Sequence, residues 1–168
     1  MSTNPYLIKI SIDEQRLQLF RNDDIIMDVA VSTANNGPGE LINSECTPRG
    51  RHRVRARIGE ACPVNSVFVG RRPTGEFYTP EMRADNPGRD WIITRILWLC
   101  GEEPGKNRMR EVDTMRRYIY IHGAPDDDPM GIPSSHGCIK MHNKDVIDLF
   151  NTVPVGTPVL IQEAPLQK

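Results

Sequence analysis

No stretch of this 168-residue sequence is apolar over a length that could cross a membrane: the longest uncharged apolar run is Ile96 to Cys100. A spanning helix requires roughly 20 such residues. The opening MSTNPYLIKISIDEQ carries Lys9, Asp13 and Glu14, which break up any apolar run, so no secretory leader is read there. These absences set the expectation of a cytoplasmic protein with no membrane insertion. An excess of one charge is also lacking, since the net charge is −1, and aromatic residues make up only 6%. A nucleic-acid partner would want a wide basic surface with interleaved aromatics, so none is expected. The four cysteines, Cys46, Cys62, Cys100 and Cys138, include no CxxC pair. Free thiols are the default for such spacing in a reducing compartment.

What is present is ordinary for a globular chain: 38% hydrophobic and 26% charged residues. A domain of this length buries roughly 70% of its unfolded surface and needs no disulfide or metal staple. Thirteen Gly and fourteen Pro point to many turns and few long helices. Period-2 alternation dominates. Tyr6, Ile8, Ile10 and Ile12 share one face of a strand. Arg16–Arg21 and Ile25–Ser32 flank the turn Asn22-Asp23-Asp24 as a hairpin. Further strands are expected at Arg51–Ile58, Ser66–Gly70, Trp91–Cys100, Arg117–His122 and Thr157–Gln162. One helix is expected, Lys144–Asn151, with Asn143 as its N-cap. The fold class is therefore mainly β: a single-domain sandwich or barrel over residues 5–162, with 1–4 and 163–168 as short tails. Two long polar segments, Thr33–Thr47 and Gly101–Met115, read as functional loops or as surface connections.

Reactive side chains concentrate late in the chain, where His122, His136, Cys138 and His142 fall close together. A nucleophilic cysteine needs a base within reach and donors for the oxyanion that forms on attack. Cys138 follows Gly137, which permits a tight turn, and His122 ends an apolar strand just before Gly123. The same four side chains are zinc-type ligands, but their spacing matches no familiar structural zinc pattern, and no metal or cofactor is expected. Cys46, Cys62 and Cys100 read as background, and His52 as packed or solvated. Arg51, Arg53, Arg55 and Arg57 alternate with smaller residues, which places four guanidiniums on one face of one strand. That stripe reads either as a carboxylate-recognition surface or as a solvated face paired with acidic neighbours.

The run His122-Gly123 … Ser135-His136-Gly137-Cys138-Ile139-Lys140-Met141-His142-Asn143, closing on Val155-Gly156-Thr157-Pro158-Val159, resembles the YkuD or L,D-transpeptidase catalytic domain. Thr47-Pro48-Arg49-Gly50 resembles the Thr-Pro-x-Gly stretch of that family, whereas Lys140 stands where the family usually has Arg. The resemblance implies Cys138 as nucleophile, His122 as base and Gly123 as the backbone that orients the ring. The backbone N–H groups of Gly137 and Cys138 read as oxyanion donors. Ser135, His136, Lys140 and Asn143 complete the expected substrate-binding set; Asn143 either fixes the loop after Cys138 or caps the helix. Tyr118 and Tyr120 read as packing.

The resemblance further implies a peptidoglycan stem peptide as partner and substrate, attacked at the carbonyl of its third residue to form a Cys thioester. The expected activity is an L,D-carboxypeptidase that removes terminal D-Ala from murein tetrapeptides during wall recycling. The alternatives are a periplasmic L,D-transpeptidase making cross-links or exchanging D-amino acids, and a catalytically silent domain that binds wall fragments. Oligomeric state is not read from the sequence.

Overall fold

The alternation in the sequence becomes strand pairing in the computed structural model, which describes residues 3–166. The strands are β1 (Tyr6–Ser11), β2 (Arg16–Arg21), β3 (Asp24–Ala30), β4 (Gly50–Ile58), β5 (Ser66–Val69), β6 (Arg72–Phe77), β7 (Ile92–Gly101), β8 (Tyr120–Ala124), β9 (Ile139–His142) and β10 (Pro158–Gln162). They form one curled sheet, a half-barrel, in the order β3-β2-β1-β10-β4-β7-β5-β6. β8 leaves this path by pairing with β7, and β9 pairs with β8. The fold is mainly β, as expected.

Burial follows the pleat. On β1, Ile8 and Ile10 point inward, to be joined by Leu17 and Leu19 of β2, Val54 of β4 and Leu97 and Leu99 of β7. Helix α2 (Asn143–Thr152) closes this core with Val146, Leu149 and Phe150. Its predicted cap is corrected by one residue: His142 is the N-cap, without a side-chain hydrogen bond, and Asn143 is the first helical residue. A second, short helix, α1 (Pro80–Asp85), was not expected; Thr79 caps it by accepting from the Met82 N–H. β6 and β9 were also missed: RPTGEF lacks a clear apolar alternation, and the alternation of IKMH runs for only four residues. No helix among the described residues is long and apolar enough to cross a membrane.

Asp13 donates its N–H to the Glu163 carbonyl and Leu166 is buried, so packing continues past Gln162. Residues 1, 2, 167 and 168 lie outside the described residues.

The arginine stripe on β4 is only partly realised. The β4–β7 register slips between Val54 and Ala56, a bulge that leaves Arg55 without a paired partner and breaks the alternation. Arg51, Arg53 and Arg55 face outward, whereas Arg57 reaches across Phe150, 4.1 Å from the ring centre, and donates to its carbonyl at 2.5 Å. A bulge of this kind carries no signature in a single sequence.

His52 of β4 faces inward, its Nδ1 3.0 Å from the Gly50 carbonyl and its Nε2 2.9 Å from Thr114 Oγ1. A carbonyl can only accept, so Nδ1 carries the proton. Burial pushes its pKa down to about 4. The unfolded chain then binds more protons than the folded one below the ordinary histidine value, so stability falls with falling pH. Urea unfolding should show a loss of about 3 kcal/mol from this ring alone between pH 7 and pH 4. His52→Gln should flatten that slope. An unchanged slope in the variant would disprove the assignment.

Candidate active site

The residues expected to act together are brought to one place by three segments. β8 is buried along its whole length between β7 and the parallel partner β9, and it carries His122 and Gly123 inward. β7 bulges between Ile93 and Ile96 where it meets β8, with Thr94 at φ 74°, an uncommon conformation for a β-branched residue. The third segment is the turn before β9 that presents Cys138.

That turn is held by a closed set of hydrogen bonds. Ser135 Oγ donates to the Cys138 carbonyl at 2.5 Å and accepts from the Gly137 N–H at 3.1 Å. Thr47 Oγ1, from the first long polar segment, donates to the Gly137 carbonyl at 2.9 Å. The N–H groups of Ser134 and Ser135 both reach the Thr33 carbonyl at 2.9 Å. Gly137 sits at φ 130°, where a Cβ would lie 3.0 Å from Ile119 Cδ1 and 3.2 Å from the Cys46 carbonyl oxygen. Only glycine fits there without displacing its neighbours. The Gly137 N–H, expected as an oxyanion donor, is therefore already engaged within the turn.

His122 Nδ1 lies 2.7 Å from the Gly123 carbonyl. That oxygen can only accept, so Nδ1 carries the proton, and in the neutral ring Nε2 keeps its lone pair. Nε2 has no hydrogen-bond partner among the described residues. Burial lowers the His122 pKa below the usual imidazole value. Cys138 Sγ accepts the Tyr120 N–H at 3.3 Å and lies 3.4 Å from the Tyr118 carbonyl, to which its thiol proton points. Burial pushes that thiol up to about 12, against the opposing effect of the Tyr120 N–H. Burial thus favours the neutral form of both groups.

A cleft of about 480 Å³ is lined by Cys138 and His122 together with Arg71, Asp90, Arg117 and Tyr118. The Arg71 guanidinium stacks over Trp98 and Tyr118, at 4.4 and 5.0 Å from the ring centres, and donates to the Tyr120 hydroxyl. Tyr118 is therefore exposed at the cleft rather than packed in the core, and it precedes β8 with φ 56°. Arg117 is held by the Gly39 and Cys46 carbonyls and by Ser44 Oγ. Asp90 is exposed and makes no hydrogen bond or ion pair among the described residues. The cleft continues on both sides: one depression shares Arg117, Tyr118 and His136 with it, the other Asp90 and His136.

Two expected substrate-binding residues are placed differently. Asn143 does not line the cleft. Its Oδ1 accepts from Thr94 Oγ1 at 2.5 Å, while its Nδ2 donates to Asn65 Oδ1 at 3.0 Å and Asp126 Oδ1 at 3.3 Å. It ties α2 to the β7 bulge behind Gly123, where a Cβ on that glycine would meet Ile93 O at 2.5 Å. Lys140 lies outside the central cleft and lines the second depression, its Nζ 3.2 Å from Asp128 Oδ2. Ser135 and exposed His136 do line the cleft.

Against known sequences, the YkuD family, the L,D-transpeptidase catalytic domain, matches residues 5–161. The chain belongs to the L,D-transpeptidase catalytic-domain family. YqjB of Bacillus subtilis, named as an L,D-transpeptidase, is 51% identical over 113 residues, 60% of this chain and 59% of that protein. YkuD of Bacillus licheniformis, also named as an L,D-transpeptidase, is 26% identical over 159 residues, 95% of this chain and 67% of that protein. The first two matched relatives, both from Bacillus subtilis, are covered over only 59% and 54% of their own length. The L,D-transpeptidase 3 of Mycobacterium tuberculosis, solved with a faropenem-derived adduct, shares the fold at TM-score 0.59 and 17% identity. That alignment covers 95% of this chain and 61% of the other.

In this L,D-transpeptidase domain, sequence reasoning did not single out Asp90, Arg71 or Arg117, which stand alone without a motif. Thr47 was legible only through its Thr-Pro-Arg-Gly stretch. Two measurements follow from the geometry. Alkylation of Cys138 by iodoacetamide, read by peptide mass spectrometry, should accelerate continuously from pH 6 to pH 10; a plateau near neutrality would reveal a stable thiolate and refute a neutral resting pair. Asn143→Ala should cost about 1–3 kcal/mol in urea unfolding because buried polar partners lose their bonds. His136→Ala, at an exposed position, should stay within about 0.5 kcal/mol.

Proposed function

We propose that this domain cleaves the bond between the third residue and the terminal D-Ala of a peptidoglycan stem tetrapeptide, through a thioester on Cys138. The observation that carries this is the placement of Cys138 and the proton-free Nε2 of His122 on one cleft of an L,D-transpeptidase-family fold. Nε2 takes the thiol proton as sulfur attacks the carbonyl carbon. The imidazolium then gives that proton to the departing D-Ala amine as the C–N bond breaks. The Tyr120 N–H, 3.3 Å from the sulfur, is a backbone donor beside the forming tetrahedral centre, together with the Cys138 N–H.

The acceptor decides the activity. The carboxypeptidase reading takes water as acceptor and needs no binding feature beyond the central cleft. A second reading, transfer to an amine, is favoured by the arms on either side of Cys138 and by the unpartnered Asp90 carboxylate in one of them. That carboxylate is placed to attract an ammonium group.

Incubation with a disaccharide-tetrapeptide, with and without a free D-amino acid, separates these readings by mass spectrometry. Dimers or exchanged tetrapeptide identify an amine acceptor, whereas tripeptide and D-Ala alone identify the carboxypeptidase. Absence of any turnover refutes the proposed cleavage. Cys138→Ala should fall to background while Cys100→Ala remains active. On the amine reading, Asp90→Asn should raise the KM for the acceptor several-fold with little change in D-Ala release.

A further inference from the structure

A second cleft, of about 540 Å³, lies away from Cys138 on the outer side of β4 and β7. Four arginines line it: Arg53 and Arg55 from β4, Arg108 from the second long polar segment, and Arg116 from the turn before β8. All four are exposed, and none has a carboxylate within 4.0 Å among the described residues. Arg53 directs Nε to Cys100 Sγ at 3.2 Å, which leaves its two terminal nitrogens for another partner. The side chains of Arg55, Arg108 and Arg116 have no partner at all among the described residues.

Asp113 is the one acidic residue that lines this groove, and its carboxylate is turned to the backbone. Oδ2 accepts from the Met109 N–H at 2.7 Å and Oδ1 from the Arg116 N–H at 3.0 Å. Elsewhere several arginines meet carboxylates: Arg16 with Asp28, Arg49 with Glu40 and Glu163, Arg83 with Asp127 and Asp128, Arg89 with Glu76. Arg21, Arg72 and Arg110 also lack a carboxylate among the described residues, but none of them lines this groove. With one carboxylate against four guanidiniums, the groove keeps an excess of positive charge that an external anion would balance.

We propose that this groove binds an oligo-anion, a chain that carries phosphate or carboxylate groups on successive units. Guanidinium forks match both oxyanions in bidentate geometry. Arg53 and Arg55, two residues apart on one strand, sit about 7 Å from each other along β4, which suits anions repeated along a chain better than one small ion. Arg116 also borders the arm of the catalytic cleft that holds Arg117 and Tyr118, so the positive surface runs toward Cys138. Binding itself requires no turnover and does not depend on the reaction at Cys138.

The test is equilibrium binding to the full chain at 150 mM salt, where screening suppresses diffuse attraction. The probes are tripolyphosphate and a short oligoglutamate, which separate the phosphate and carboxylate sources. Saturable binding of either is expected, with at least tenfold weaker affinity for Arg55→Gln/Arg116→Gln. Cys138→Ala should bind as the parent does. Arg21→Gln/Arg72→Gln, which removes the same charge from elsewhere on the surface, should also leave affinity unchanged. Thermal unfolding confirms that the variants fold. Absence of saturable binding to both probes, or equal weakening by the two double variants, would overturn the proposal.

Discussion

Burying an imidazole, and partly burying a thiol beside it, removes water that would otherwise stabilise either one as an ion. Much of the architecture around Cys138 answers to that constraint. With both groups neutral, proton transfer has to occur during attack rather than before it, and the ring must already be in the right tautomer. The Gly123 carbonyl fixes that tautomer from the residue next in sequence. The carbonyl is in turn held by strand pairing, because β8 is flanked on both edges. The close approach of Ile93 O to Gly123 leaves no room for a side chain, and the Thr94–Asn143 bond secures the bulge that makes this approach. Each support lies one step farther from the sulfur and is more deeply buried than a substrate contact would be.

Those supports explain what could and could not be read from the sequence. Alternation such as Tyr6-Ile8-Ile10 has one low-energy solution, a half-buried strand, so most of the sheet was legible. The Ser-His-Gly-Cys segment and the distant His-Gly were legible as chemistry because few other arrangements need those residues together. Asn143 was not. An Asn before an apolar helical stripe looks like a cap, and only the tertiary position of Thr94 and Asn65 turns its amide into a buried clamp. Tyr118 misled for a related reason. Its place in Tyr-Ile-Tyr-Ile suggested a strand, but the backbone reaches extended pairing only at Tyr120. The bulge in β4 likewise turned four expected guanidiniums on one face into three.

Charge shows a similar gap between composition and arrangement. A net charge of −1 says nothing about where the arginines stand. Among the described residues, five arginines meet a carboxylate, and others are stacked on an aromatic ring, as Arg71 is on Trp98. This local pairing makes the unpaired groups informative. Asp90 at the cleft and the four arginines beyond it are charges that the fold does not use for its own cohesion. Surface ion pairs contribute little to stability, so a protein loses little by leaving such groups free for a partner.

The neutral resting pair also bears on the acceptor step of the proposed reaction. An amine attacks a thioester only when unprotonated, whereas a carboxylate such as Asp90 draws it in as an ammonium ion. The proton must therefore leave between docking and attack. His122 Nε2 is free to take it, since burial lowers the imidazole pKa and favours its neutral form. The same depression that denies Cys138 a standing thiolate thus keeps a base available for both halves of the cycle. Relieving the burial would raise thiolate content but would also protonate the ring sooner as pH falls. An amine-accepting enzyme of this geometry gains more from a ready base than from a preformed nucleophile.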